Sequence, residues 1–481
     1  MTATELPKMP PNAAQQLRHL LAQSEGLNQR DQADSAREKL VTRRQKAAEA
    51  LTQTGWPRRK DENWHYTALT PLYQTPFDLA QAPEDDQDPA QSLSDHAALK
   101  ARWALPFDCI SLVFVDGVFS EGLSQGLGAI SDDLSIEMAD ADAIQTLTPQ
   151  ALKAYRGVQD GTRNAARAVT ASEQPSVDDV FLHLNEAVLD QGITLRVAAH
   201  HRPVPVQMVY LQTQPQTLTN LRVQLVLAEH AQLTVMHHFV SLNDTQAQWV
   251  NRVQQVSLAS GACCRQVDWQ DLNEVSVYSA LQYIDQAAHS QWQQHALNLG
   301  GAWSRQQSYA RMLGEGADAE QNSLAWARGQ QLMDVRTETQ HAQAHCTSRQ
   351  NHKFVVQDQA RGVFNGMIGV AQAAQKTDGQ MDNKNLILSP TAKMDTKPQL
   401  EIYADDVACS HGCASGEIDA SQVFYLQARG IARQHALQMI TQAFLLEPLE
   451  SVQLAPLRQW LHQTVTQRLS AMPMPSTQGA H

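Results

Sequence analysis

No stretch of roughly eighteen consecutive apolar residues occurs in this chain of 481 residues, so no transmembrane helix is expected. The N-terminus, M-T-A-T-E-L-P-K-M-P-P, lacks the apolar core of a signal peptide, and a cytoplasmic protein is expected. Cysteine is scarce. The six residues at 109, 263, 264, 346, 409 and 413 are too few to staple a chain of this length, and in a reducing compartment they are free thiols. An excess of basic residues is missing as well: 37 Lys and Arg against 50 Asp and Glu leave a formal net charge of −13. Nucleic acid, which needs a basic face, is therefore not an expected partner. There is no G-x-x-x-x-G-K-[ST] phosphate loop, no G-x-S-x-G and no H-E-x-x-H, so the chain is not expected to hydrolyse nucleotide or to be an enzyme of those classes. What is present is 42% apolar residues, enough for a sizeable core, in a chain longer than one ordinary domain.

The chain divides into residues 1–108, 109–416, 417–471 and a tail, 472–481, expected to be disordered. The first part reads as helical with an acidic linker. Leu17, Leu20 and Leu21 form a helical stripe that Gly26 and Asn28 interrupt. A second helix starts at Ser35 and Glu38, spaced as a capping box, and ends at Gly55 and Pro57. It points Leu40, Ala47, Ala48 and Leu51 inward and Arg43, Arg44 and Lys46 outward. The basic triplet Arg58-Arg59-Lys60 reads as a solvated turn, and residues 82–98, acidic with Pro83 and Pro89, as a linker.

From Cys109 the pattern becomes that of strands. C-I-S-L-V-F-V-D-G-V-F is a run, an Asp-Gly turn and a second run. The stretch from Phe181 predicts a short helix before a turn at Gly192. Beyond it Leu221, Val223, Leu225 and Leu227 alternate with polar residues, as do Leu233 and Val235, with Val253, Leu258, Val275 and Val277 following. Turn residues recur at Asn243-Asp244, Gly261, Gly300-Gly301, Gly314, Gly316 and Gly329. Nearly 220 residues of short strands without a helix are long for one sandwich; a β-solenoid, whose coils tolerate irregular length, fits better, although no strict repeat is present. Asp419 then reads as a helix N-cap, Gly430 as the end of a first short helix, and Leu437, Ile440 and Phe444 as one stripe of a second. A last helix carries Leu457, Trp460, Leu461, Val465 and Leu469.

One stretch concentrates ligand chemistry: Q-L-E-I-Y-A-D-D-V-A-C-S-H-G-C-A-S-G-E-I-D-A-S-Q-V-F-Y-L-Q-A-R-G-I, residues 399–431. Residues two apart on a strand share a face, so Cys409, His411 and Cys413 project together. Thiolates and imidazoles suit zinc, copper and iron–sulfur centres. Same-face neighbours stand about 6.5–7 Å apart, whereas two sulfurs on one zinc lie roughly 3.8 Å apart. A closed zinc site is excluded by that width; a larger cluster, or half of a site completed by another chain, is not. The other histidine-rich spots, His200-His201, His237-His238 and His341 with His345 ahead of Cys346, read as surface or strand histidines. Asp405 and Asp406 are adjacent, on alternate faces, and do not form an acid–base pair.

Residues 354–431 carry a denser signal. F-V-V-Q-D-Q-A-R-G-V-F-N-G-M-I-G-V, A-Q-K-T-D-G-Q-M-D-N-K-N-L-I-L-S and D-T-K-P-Q-L-E-I-Y-A-D-D-V-A-C-S-H-G resemble the SufB/SufD family, scaffold subunits of the Suf iron–sulfur cluster assembly system, on its SufD side. R-R-K-D-E-N-W-H-Y-T near the N-terminus, V-F-V-D-G-V-F and H-C-T-S-R-Q-N-H-K extend the resemblance along the chain. It implies a mainly β fold: a right-handed parallel β-helix core between helical N- and C-terminal regions. It implies a heterodimer with SufB through that core and docking of the ATPase SufC through the C-terminal helices, with Phe424, Leu437, Ile440 and Phe444 in the docking region. It implies a transient iron–sulfur cluster at the SufB interface with Cys409 and His411 in ligand positions, and it leaves open whether a reduced flavin binds the complex. The family usually continues C-S-H-G-A-T; here Cys413 replaces that alanine and is expected to be dispensable. The residues alone leave two other classes standing: a β-helix metal-dependent enzyme and a purely structural adaptor.

Overall fold

The computed structural model describes residues 6–74, 76–81, 87–140 and 176–471. The tail 472–481 and residues 82–86 of the acidic linker lie outside the described residues. From Thr217 to Gly416 each strand lies parallel to the strand two places earlier, so every pass adds one strand to each of two ten-stranded sheets. The result is a parallel β-solenoid of about eight turns with helices at both ends of the chain. Two antiparallel pairs begin it: Ile110–Val115 with Val118–Gln125, and Leu134–Asp140 with Gln191–Val197. The predicted Asp-Gly turn joins the first pair, with positive φ at Asp116 and Gly117.

Cys264, Trp292, Ala319, Ser348, Gly379 and Cys409 stack in one column, in coils of 27 to 31 residues. That variation is why no strict repeat shows in the sequence. Leu221, Val223, Leu225 and Leu227 point inward with Leu233 and Val235, in one buried core. Their polar neighbours are not solvated: the outer face is covered too, and Arg222 is buried against Glu186 at 3.1 Å. Val275 is a correction. It is 44% exposed and precedes the strand Val277–Gln286 rather than belonging to one.

One corner of the solenoid turns through left-handed residues on successive coils: His200, His230, Gly261, His289, Gly316, His345 and Lys376. Each donates its backbone N–H to a carbonyl of the next coil, from His200 to Glu229 at 2.9 Å up to Lys376 to Asp406 at 2.6 Å. Histidine tolerates this conformation better than branched residues do. Gly261 is required for a second reason: a Cβ there would stand 2.3 Å from the ring of His230.

The helices Pro11–Asp31 and Glu38–Thr54 and the short helix Val180–Ala187 cover the outside of one sheet around Trp56, Trp64, Phe181, Trp249 and Trp303. Three expectations change here. The first helix runs unbroken through Gly26 and Asn28, and Asn28 is buried. The capping oxygen before the second helix comes from Asp34, which accepts from Ala36 N at 2.9 Å, not from a box at Ser35. Arg44 is fully buried rather than outward, bonded to Asp31 at 2.7 Å and to the Leu189 carbonyl at 2.5 Å. The chain also enters a strand at Gln191, so Gly192 is a strand residue and not a turn. Arg58, Arg59 and Lys60 are exposed, as a solvated turn requires.

The helices Arg433–Leu446 and Ala455–Ser470 cover the other sheet, burying Leu445, Leu457, Leu461, Val465 and Leu469 against Val267, Trp269, Leu297 and Trp326. Asp419 caps the helix Ala420–Gln427, accepting from Ser421 N at 2.8 Å, and Gly430 turns the chain at φ 85°.

Candidate functional site at the open end of the solenoid

The strand Ala408–Gly416 pairs with Asp378–Ile387 on one side and ends its sheet on the other; Lys393–Ile402 ends the second sheet at the same end. Among the described residues nothing pairs with these two outer edges. Both therefore present unpaired backbone donors and acceptors, the feature by which a sheet edge recruits another chain. Ile402 and Tyr403, 38% and 49% exposed, lie beside them.

Cys409, His411 and Cys413 sit on the inner face of the edge strand, in register over Gly379, Met381 and Asn383. Cys409 is half-buried, and a Cβ at Gly379 would stand 3.3 Å from its Sγ, so glycine leaves the thiol its place. Burial pushes the Cys409 thiol up from its ordinary value, and the backbone N–H of Gly379 offsets part of that. His411 is exposed at the open end. Cys413 is exposed, with its Sγ 2.9 Å from Thr396 Oγ1 across the lumen and 3.6 Å from Asn383 Oδ1. Among the described residues no three His, Cys, Asp or Glu side chains converge closely enough to hold a metal ion. The strand thus offers one imidazole and two thiols in a row, on a face that a second chain could complete.

The other histidines go elsewhere. His237 faces the interior, 3.1 Å from Tyr210 OH, and His238 packs outward on Trp269 and Trp460; burial pushes both down to about 3. His341 ends the strand Leu332–His341, bonded to Ser348 Oγ at 2.8 Å, while His345 is the corner residue after it. The two share no helix. Cys346 is buried, its thiol bonded to the Gly314 carbonyl at 3.3 Å.

The four residues of the expected docking region are not on one surface. Phe424 is 72% exposed on its short helix, next to the exposed Tyr425, whose ring lies 3.4 Å from the Arg429 guanidinium. Leu437 and Phe444 are half-buried against the solenoid, and Ile440 is half-buried on the same helix. Sequence reasoning passed over Lys353, buried on the outer face of Thr347–Val356, bonded to Glu447 and 4.5 Å over the Phe444 ring. It also passed over Asn383 and Asn385, buried beneath the edge strand. The alternation N-K-N at 383–385 was the available signal.

Two family models match the chain: the SUF system FeS cluster assembly SufBD core domain over residues 210–444, and the SufBD protein N-terminal region over residues 12–90. An iron–sulfur cluster assembly protein SufD from Escherichia coli (strain K12) is 35% identical over 463 residues, 95% of this chain and 97% of that protein. The chain belongs to the SufBD family. Within it, an iron–sulfur cluster assembly SufBD family protein of Synechocystis is 29% identical over 89% of this chain and 91% of its own length. Protein ABCI7, chloroplastic, of Arabidopsis thaliana is 23% identical over 85% of this chain and 81% of its own. As a SufBD protein this chain is involved in iron–sulfur cluster assembly. No helix among the described residues is long and apolar enough to cross a membrane.

Proposed function

We propose that this SufBD protein is a cytoplasmic scaffold subunit, not itself an enzyme, that works in a complex with a SufB-type scaffold and a SufC-type ATPase. The observation that carries the reading is the open end of the solenoid: two unpaired sheet edges, one of them bearing Cys409 and His411 on its inner face. Edge-to-edge pairing with a second β-solenoid would satisfy the free backbone groups and bring that chain's thiolates against this row. The cluster is cargo: it forms at the joint and leaves, and a row too wide for one ion suits a half-site. His411 acts as a nitrogen ligand or a proton relay, and Cys409 is a second ligand or a sulfur relay. The exposed Phe424 and Tyr425 form the ATPase-docking surface, while Leu437 and Phe444, packed on the solenoid, hold the next helix in place. The missing phosphate loop fits a subunit whose partner supplies ATP hydrolysis. A reduced flavin, if the complex takes one, is an electron source for the same joint.

The test is co-purification of the three chains with iron and acid-labile sulfide measured on the complex. His411→Ala should leave the complex assembled and reduce bound iron and sulfide at least about fivefold. Normal cluster content in that variant would refute the ligand role. Loss of the complex itself would assign His411 to the interface instead.

A further inference from the structure

The edge strand is poorly made for its position. A-C-S-H-G-C-A-S-G contains two glycines, no β-branched residue and no Phe, Tyr or Trp, a composition that holds a β conformation weakly. It is paired on one side only. Yet any role for Cys409 and His411 requires the strand to stay flat and in register. Two buried amides supply what the composition lacks. Asn383 and Asn385, next to each other on the inner face of Asp378–Ile387, exchange hydrogen bonds at 3.0 and 2.8 Å. Below, Asn383 Nδ2 donates to the His352 carbonyl at 3.2 Å, which ties the pair to the preceding coil. Above, Asn385 Nδ2 donates to the Ala414 carbonyl at 3.3 Å and to Ser415 Oγ at 2.9 Å, and Cys413 Sγ donates to Asn383 Oδ1 at 3.6 Å. The bonds from this amide pair to the edge strand fall on Cys413, Ala414 and Ser415, in its C-terminal half. One coil down, the same two inner positions hold His352 and Phe354, whose rings pack on the coil interior instead. The amide pair belongs to the last full coil.

We propose that Asn383 and Asn385 are positioning residues for the site: an interior clasp that holds the edge strand in the geometry at which His411 and Cys409 meet a partner's ligands. This rests on the functional reading above. Cys413 then has a mechanical part, as a hydrogen-bonding side chain that the clasp engages, and serine would serve as well.

The experiment uses the full chain, alone and in its co-purified complex, with Asn383→Ala, Asn385→Ala and the conservative Asn385→Gln. Amide hydrogen exchange is followed over residues 408–416 and, as a control on folding, over 361–370. In the chain alone, both alanine variants should exchange at least about tenfold faster over 408–416 with 361–370 unchanged, and Asn385→Gln should recover most of the protection. In the complex the alanine variants should bind less than half the wild-type iron and sulfide while keeping both partners. Wild-type protection in both alanine variants, or full cluster content in spite of fast exchange, would overturn the proposal. A wild-type complex that takes no cluster would instead overturn the functional reading, and the exchange result would still decide whether the clasp exists.

Discussion

Arg44 shows how burial changes the meaning of a charged residue. It is fully buried between two N-terminal helices and the solenoid, bonded to Asp31 at 2.7 Å and to the Leu189 carbonyl, with Asp190 at 3.3 Å. Burial alone would raise the Asp31 carboxyl, but the Arg30 and Arg44 guanidiniums hold it well below its ordinary value. That contribution is present above the usual carboxylate range and is lost only in strong acid. Removing a buried partner leaves the other charge uncompensated, which costs about 3 kcal/mol. Arg44→Met should therefore lower the melting temperature by several degrees, whereas Lys46→Met, one turn-face away and outside this network, should not. Equal melting temperatures would show that Arg30 and Arg37 suffice for Asp31. At Cys413 the opposite outcome is expected: Cys413→Ser keeps donors toward Asn383 and Thr396, and the complex should load a normal amount of iron and sulfide.

Among the elements, the C-terminal helices differ in how closely they pack on the solenoid. Leu445, Leu457, Leu461 and Val465 are buried against Val267, Leu297 and Trp326, so this face belongs to the solenoid. Cutting the chain after Asp419 would strip that sheet and expose its apolar outer side, which makes truncation a poor probe of docking. Phe424 touches little of its own chain, and its replacement removes surface without opening a cavity. Phe424→Ala paired with Tyr425→Ala should weaken binding of the ATPase subunit by at least about tenfold with an unchanged melting temperature, measured by titration calorimetry and thermal unfolding. Unchanged affinity would move the docking surface elsewhere. Leu445→Asp should fail to fold, because it buries an unpaired charge between helix and sheet.

The whole molecule carries a pH dependence written into its interior. Burial pushes His237, His238 and His352 down to about 3, and His295 and His341 to about 4. In the unfolded chain these rings take up protons near 6.5. Between that value and the folded ones the unfolded state binds more protons, so stability is full above about 6.5 and falls as the pH drops through it. At pH 5.5 each ring accounts for up to about 1.4 kcal/mol. Asp268 does not contribute in this window: burial would raise it, but Arg252 at 2.7 Å and its amide partners hold it at about 2. The melting temperature should fall between pH 7 and 5.5, and His237→Asn combined with His352→Asn should flatten that fall. A pH-independent melting curve in the wild type would mean that water reaches these rings.

Local chemistry determined a good part of this protein from the residues alone. The alternation of Leu221 to Leu227 named the inner face, because side chains two apart must share it. The Asp-Gly at 116–117 set a tight turn, Asp419 set a helix start, and the spacing of Cys409, His411 and Cys413 placed all three on one side of a strand too wide for a single ion. Tertiary structure decided what depends on who lies opposite. Gly26 and Asn28 remain helical because packing against the solenoid outweighs their propensity. Arg44 turns inward because Asp31 and Asp190 are there to meet it. Val275 is left in solvent because it lies in the turn closed by the Ser276 N–H and the Asn273 carbonyl. Coils of 27 to 31 residues stack in register although no repeat is visible, since backbone pairing needs matching strands and not matching loops. The edge beneath His411 follows the same rule: Asn383 and Asn385 are thirty residues from Cys413 and Ser415, and only the winding of the chain brings them into contact.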